Sequence, residues 1–309
     1  AKYIGTKFAA SVNSGNAALH LSLLALGINN KSSVITSTNS FIASANCILM
    51  TGAKPILCDI KPEDGNIDIS STDEKADAII PVHIYGNPCD FDSIRRMSEE
   101  SKIPIIEDAC QAHGAKYFGK KVGSLGDVGC FSFYPTKNMT VGGDGGMITT
   151  NNEEIQNEVI SLRDNGRKSH TTHDKLGFTM RLNTVNAAIG RIQLRHLDER
   201  NSRRQKIAEL YKKHLSEDYF LTENPNGSSV FHQIVFRHKK RNDIMEHLSK
   251  NGIGTTIHYP IPIHKQPLYS YLNLTLSISE EFSNQVLSLP SYPQLSDDDV
   301  KIVCETISQ

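Results

Sequence analysis

Short apolar, β-branched runs alternate with stretches of helical periodicity through the first part of the chain. "SSVIT" precedes an amphipathic stretch from Ser40 to Thr51; "KPILCDI" and "ADAIIPVHIYG" follow, then a helical "DFDSIRRMSEESK", "IPIIED", "DVGCFSF" and "GGMITT". The apolar runs do not alternate with polar residues, as a strand with one wet face would. Runs of that kind separated by helices predict a mainly parallel sheet covered on both faces. From Asn183 the pattern changes to long helical periodicity, "NTVNAAIGRIQLRHLDERNSRRQKIAELYKKHL". A strand candidate, "SVFHQIVFR", comes next, and helices are expected near Arg241–Asn251, Ser279–Ser288 and Asp297–Ile307. The expected organisation is a large α/β domain over residues 1–195 and a smaller α+β domain over 196–309. No internal repeat or low-complexity segment interrupts it.

Composition narrows the functional classes. A chain of 309 residues with 38% hydrophobic content can bury one large core and a smaller one. A net charge of -1 and a pI near 6.9 give no electrostatic reason for a nucleic-acid or membrane partner. Six cysteines without CxxC spacing, most in apolar surroundings, suit reduced thiols rather than a disulfide framework. The opening "AKYIGTKFAASVNSG" lacks the charged-then-apolar plan of a signal peptide, and no apolar run approaches membrane-spanning length. The expected location is cytoplasmic. "SHTTHD" offers His170, His173 and Asp174 but no companion ligands, so it reads as a polar loop and no metal is expected.

In an open parallel sheet, ligands bind beyond the carboxyl ends of the strands, so polar residues that follow apolar runs are the ones to weigh. Ser14, Gly15 and Asn16 precede a helix whose free N–H groups favour a phosphate, although Ser-Gly-Asn alone reads as an ordinary cap. "IPIIEDACQAHG" ends a buried strand in Glu107 and Asp108, followed by Gln111 and His113. "IIPVHIYG" ends in His83 and Tyr85, where a structural histidine is the plain alternative. "FSFYPTKNMTVGGDGG" delivers Lys137, which taken singly would be a solvated loop lysine. Together these are the parts needed to hold pyridoxal phosphate. Asp108 would pair with the pyridinium nitrogen, the Gly15 region would take the phosphate, and Lys137 would form the imine.

In order and spacing, "SGNAALHLSLLALGI", "GAKPILCDI", "IIPVHIYGNPCDFDSI", "IIEDACQAHGAKYFGKKVGSLGDVGCFSFYPTKN", "GGDGGMITT", "RRQKIAELY", "GIGTTIHYPIPIHKQPLY" and "LSLPSYPQLSDDDV" resemble the DegT/DnrJ/EryC1/StrS sugar aminotransferases. These are pyridoxal-phosphate enzymes of the aspartate aminotransferase fold, fold type I. The resemblance implies that Lys137 is the Schiff-base lysine and Asp108 the partner of the pyridinium nitrogen. It also implies that Gln111 lies near the ring oxygen, that Ser132, Gly15 and Asn16 contact the phosphate, and that Phe41 stacks on the ring. His258 and Tyr259 resemble a motif that closes over the substrate side, where His83, Tyr85 and Arg181 are further candidates. Two positions depart from the family: Asn16 replaces a threonine, and "GFTMRL" puts Thr179 where an asparagine reaches the partner's phosphate, with Arg181 beside it. Relatives ordinarily carry a few dozen residues ahead of the segment that opens this chain.

The activity implied is transfer of an amino group, with glutamate as donor, to a keto sugar on a nucleoside diphosphate, 4-keto favoured over 3-keto, in a homodimer with shared sites. Lys137 argues against the related sugar dehydratases, which carry histidine there. Retention of both Lys137 and Asp108 argues against a non-catalytic sensor. A cysteine desulfurase would need a mobile, activated thiol, whereas Cys110 and Cys130 read as packed.

Overall fold

The computed structural model describes residues 1–309. Strand Ser33–Ser37 lies between Lys54–Cys58 and Ala78–Ile80 and is parallel to both. Isolated parallel bridges, Ile79 with Ile105 and Val82 with Asp108, carry this three-stranded segment across to Ile106–Asp108. That strand runs parallel to Val128–Ser132, which is antiparallel to Gly146–Thr150, itself antiparallel to Phe8–Val12. One strand, Gly146–Thr150, therefore runs against all the others. Residues 133–145 contain no helix, and a parallel return would need a crossover element, so the chain turns straight back beyond Ser132 into an adjacent antiparallel strand instead. That reversal leaves Lys137 at the carboxyl end of Val128–Ser132.

The strands are buried on both faces, which explains the absence of alternation in their sequences. Helix Gly15–Ala25 packs its Leu19, Leu21 and Leu23, each almost fully buried, into the largest core cluster. Ser14 caps it by accepting the Ala17 N–H at 3.0 Å. Among the longer elements of this region, strand Phe8–Val12, masked by its small residues "FAASV", and helix Glu153–Leu162 escaped the pattern analysis.

The long helical run divides at His196 into Thr184–Arg195 and Leu197–His214. Beyond it a second core gathers Tyr211, Phe236, Leu287 and Val300. Here one expectation is corrected. The helix expected over Ser279–Ser288 spans Ser277–Gln285, and Val286–Leu289 is a strand antiparallel to Ile234–Arg237. Its residues "VLSL" are all buried, and a strand pairing with Ile234–Arg237 satisfies backbone groups that could not stay unpaired there. The expected strand "SVFHQIVFR" is shorter, because Phe231 takes a left-handed φ of 43° and keeps His232 outside the ladder. No helix is long and apolar enough to cross a membrane.

Candidate active site

A cavity of about 530 Å³ opens where the strands end and the second core begins. Ser14–Asn16 enters it after Phe8–Val12, Ser40–Ser44 after Ser33–Ser37, Asp108–Gln111 after Ile106–Asp108, and Ser132–Lys137 after Val128–Ser132. His232, Gln233, His258 and Tyr259 close the opposite wall. Sheet topology thus brings together residues far apart in sequence.

Asp108 is 4% exposed and already oriented. One carboxylate oxygen accepts the Ser44 hydroxyl at 2.7 Å and the other the Cys110 N–H at 3.1 Å. Ser44 is in turn 2.8 Å from the Ser40 hydroxyl. Ser44 was missed by sequence reasoning; the signal was its spacing of four from Ser40, just ahead of helix Ala43–Met50. Lys137 borders the same cavity, and its side-chain amine has no hydrogen-bond partner in the protein. Burial lowers its pKa, against smaller opposing effects of Cys110 and Asp108.

Gly15 sits in a close cradle. A Cβ there would lie 2.7 Å from the Ser132 Cβ and 2.9 Å from the Cys110 sulfur, so only glycine fits. The helix start and Ser132 line the same cavity, and the first N–H groups of a helix have no intrahelical partner. Asn16 lines it too; its Oδ1 is buried without a partner. Phe41, 56% exposed, forms an apolar wall whose ring centre is 6.3 Å from that of Tyr259.

Gln111 joins the two halves of the cavity: its Oε1 accepts the Tyr85 N–H at 2.9 Å and its Nε2 donates to the Tyr259 hydroxyl at 3.2 Å. His258, joined to Tyr259 by a cis peptide, bonds Ser288 at 2.9 Å. Burial and then the charge of Lys137 pull the His258 pKa down to about 4. Burial, and then Asp108, pushes the Tyr259 hydroxyl up. His232 is a second residue that sequence reasoning missed, because it lay inside an expected strand.

Four expected residues lie outside the cavity lining. His83 is fully buried, with Nε2 3.1 Å from Glu107 and Nδ1 accepting the Cys89 N–H at 3.1 Å. Glu107 also accepts the N–H groups of Gly123, Leu125 and Gly126 at 2.6, 2.7 and 2.8 Å. This buried pair pins the loop ahead of Val128–Ser132, so His83 has a framework position rather than a place against substrate. Tyr85 holds the far wall indirectly, donating its hydroxyl to the His258 carbonyl. Thr179 and Arg181 are exposed on the surface of the chain; Thr179 donates to Asn165 at 3.1 Å and Arg181 pairs with Asp164.

Residues 1–308 match the DegT/DnrJ/EryC1/StrS aminotransferase family. The chain belongs to that family. With it comes membership of the pyridoxal-phosphate-dependent aminotransferases of fold type I. The chain is 40% identical over 318 residues to the dTDP-3-amino-3,6-dideoxy-alpha-D-galactopyranose transaminase of Aneurinibacillus thermoaerophilus, covering 100% of this chain and 87% of that protein. It is 38% identical to the pleiotropic regulatory protein of Geobacillus stearothermophilus, over 100% of this chain and 86% of that one. Among solved structures, DesV of S. venezuelae in complex with a ketimine intermediate superposes with a TM-score of 0.95 at 35% identity, over 99% of this chain and 85% of that chain.

Proposed function

We propose that this aminotransferase moves an amino group from glutamate to a keto sugar carried on a nucleoside diphosphate, using pyridoxal phosphate attached to Lys137. The observation that carries this reading is the meeting of an unpaired, half-buried lysine and an oriented, buried carboxylate in one cavity with a glycine-lined helix start. The residues present fit the cofactor. The Gly15 cradle admits a group that any side chain would displace, the Phe41 ring offers a flat apolar face, and the amine of Lys137 is free to react.

Asp108 would hold the ring-nitrogen proton, with Ser44 and the Cys110 N–H keeping its carboxylate in place. The Gly15 and Asn16 N–H groups and the Ser132 hydroxyl would bind the phosphate. When bound, pyridoxal phosphate supplies the electron sink for Cα–H cleavage. Lys137, once released as a free amine, would take the Cα proton at its Nζ and return it two bonds away, across the intervening nitrogen. Because burial lowers its pKa, the neutral amine persists to lower pH than on an exposed lysine. Replacing Gly15 by alanine is expected to lower cofactor affinity at least tenfold, a loss of about 1.4 kcal/mol, read as the concentration needed to saturate cofactor absorbance. Unchanged affinity would remove the cradle from the phosphate site.

Sequence resemblance favours a 4-keto acceptor, whereas the Aneurinibacillus relative is named for a 3-amino sugar. That name makes a 3-keto acceptor the second reading. A panel of nucleotide-linked 3-keto and 4-keto sugars assayed with glutamate decides between them, and amination of none would overturn the function. The name of the Geobacillus relative favours a regulatory role instead; turnover by purified protein at the rate of a working enzyme excludes a purely sensory one. We place this reaction in the cytoplasm as part of the proposal.

The sites are proposed to be shared within a homodimer. Helix Thr184–Arg195 buries only Gly190 and exposes Val185 at 69% and Ile192 at 58%, and Leu176 nearby is 82% exposed. An apolar face of this extent suits a second copy. Thr179 and Arg181, exposed on the adjoining segment, would then reach the partner's phosphate site. Mixing inactive Lys137→Ala chains with chains crippled at Arg181 is expected to restore part of the activity, since one site of the heterodimer regains both intact parts. An enzyme fully active as a monomer by sedimentation would end the shared-site reading.

A further inference from the structure

Directly after Lys137, the side chain of Asn138 is buried and joins three parts of the fold. Its Nδ2 donates to the Val230 carbonyl at 3.1 Å and to Asn201 Oδ1 at 3.0 Å. A backbone carbonyl can only accept, so the Val230 contact fixes which end of the amide carries hydrogens. Asn201 is fixed in the same way, since its Nδ2 donates to the His113 carbonyl at 2.7 Å. With both Nδ2 hydrogens used, Asn138 presents Oδ1 to His232 Nδ1 at 3.0 Å. That oxygen can only accept. His232 must therefore carry its proton on Nδ1.

The other ring nitrogen, Nε2, then bears a lone pair. It has no donor in the protein, and the ring borders the Lys137 cavity. Burial, and then the charges of Lys137 and Arg204, hold the His232 pKa well below the usual histidine value, so the ring stays neutral. A neutral ring with its proton committed to Asn138 has nothing to donate to a carboxylate. It can accept from an O–H group. The carboxylates of an amino donor gain nothing from it, whereas a sugar hydroxyl does.

We propose that His232 is a hydroxyl-recognising subsite for the keto sugar: Nε2 accepts a hydrogen bond from a sugar hydroxyl, and Asn138, held by Val230 and Asn201, is the positioning residue that sets the ring. This rests on the sugar-aminotransferase reading above. His232→Phe is expected to raise KM for the keto sugar roughly tenfold, the loss of one good hydrogen bond, with a much smaller change in KM for the amino donor. His232→Gln, whose amide oxygen can accept, should recover part of the loss. A deoxy sugar lacking the recognised hydroxyl should be insensitive to His232→Phe. Asn138→Ala should shift KM for the sugar in the same direction.

Nitrogen NMR of the holoenzyme labelled in histidine, without sugar, provides a readout separate from turnover and should show the Nδ1–H tautomer at His232. An Nε2–H tautomer overturns the subsite while leaving the proposed function standing. Equal rises in KM for sugar and amino donor on His232→Phe overturn it as well. If the tautomer is as stated but no nucleotide sugar is aminated by the wild-type protein, the functional reading fails and the subsite falls with it.

Discussion

Lys137→Ala is expected to abolish transamination, with a fall of at least about ten-thousandfold, because in the proposed reaction one side chain would both attach the cofactor and carry the proton. The geometry supports both tasks. Lys137 borders the cavity with an unpaired amine, and the loop that carries it is fastened by its own N–H to the Tyr134 carbonyl at 2.9 Å and by the buried Asn138 side chain. A rigid loop with a free amine at its tip suits a group that must reach the same point twice. Borohydride reduction of the holoenzyme should leave the cofactor on the peptide containing Lys137. Labelling of another lysine would move the chemistry elsewhere in the chain. Added small amines should restore a little of the proton transfer in Lys137→Ala, since the cavity vacated by the side chain can admit them.

How much of this site the sequence reveals depends on the physical origin of each contact. Asp108 and Lys137 are legible because the ends of buried strands are where an open sheet places ligands, and both follow apolar runs directly. Gly15 is legible as a helix start, but its steric need comes from Ser132, at a strand end, and Cys110, in the turn after another strand, which only the folded sheet brings beside it. His83 shows the limit of the rule. It also follows a buried run, yet it turns to Glu107 rather than the cavity. Nothing in "IIPVHIYG" states which way a strand-end side chain points. His232 is hidden for a different reason: the apolar pattern of "SVFHQIVFR" suggests an unbroken strand, whereas the left-handed backbone at Phe231 frees His232 to line the site. The direction of Gly146–Thr150 is likewise illegible in its own residues. It follows from the lack of a crossover helix between Ser132 and Gly146.

Asp108→Asn is expected to cost about 3 kcal/mol of transition-state stabilisation, roughly a hundredfold in rate, by removing a buried negative charge from its cationic partner. The substitution is close to isosteric, and the surrounding bonds can adapt. The Cys110 N–H still finds a carbonyl oxygen, while the Ser44 hydroxyl can turn its hydrogen to Ser40 and accept from the new amide. Fold and cofactor binding should therefore survive, and the loss should appear in kcat. The sign of the pH dependence separates charge from shape. In the wild type, the carboxylate would hold the ring-nitrogen proton through neutral pH. In Asp108→Asn that proton must come from solvent, so part of the lost rate should return as the pH is lowered. A variant that is slow at every pH with an unchanged profile would make Asp108 a packing residue. Near-normal turnover would remove it from the mechanism altogether.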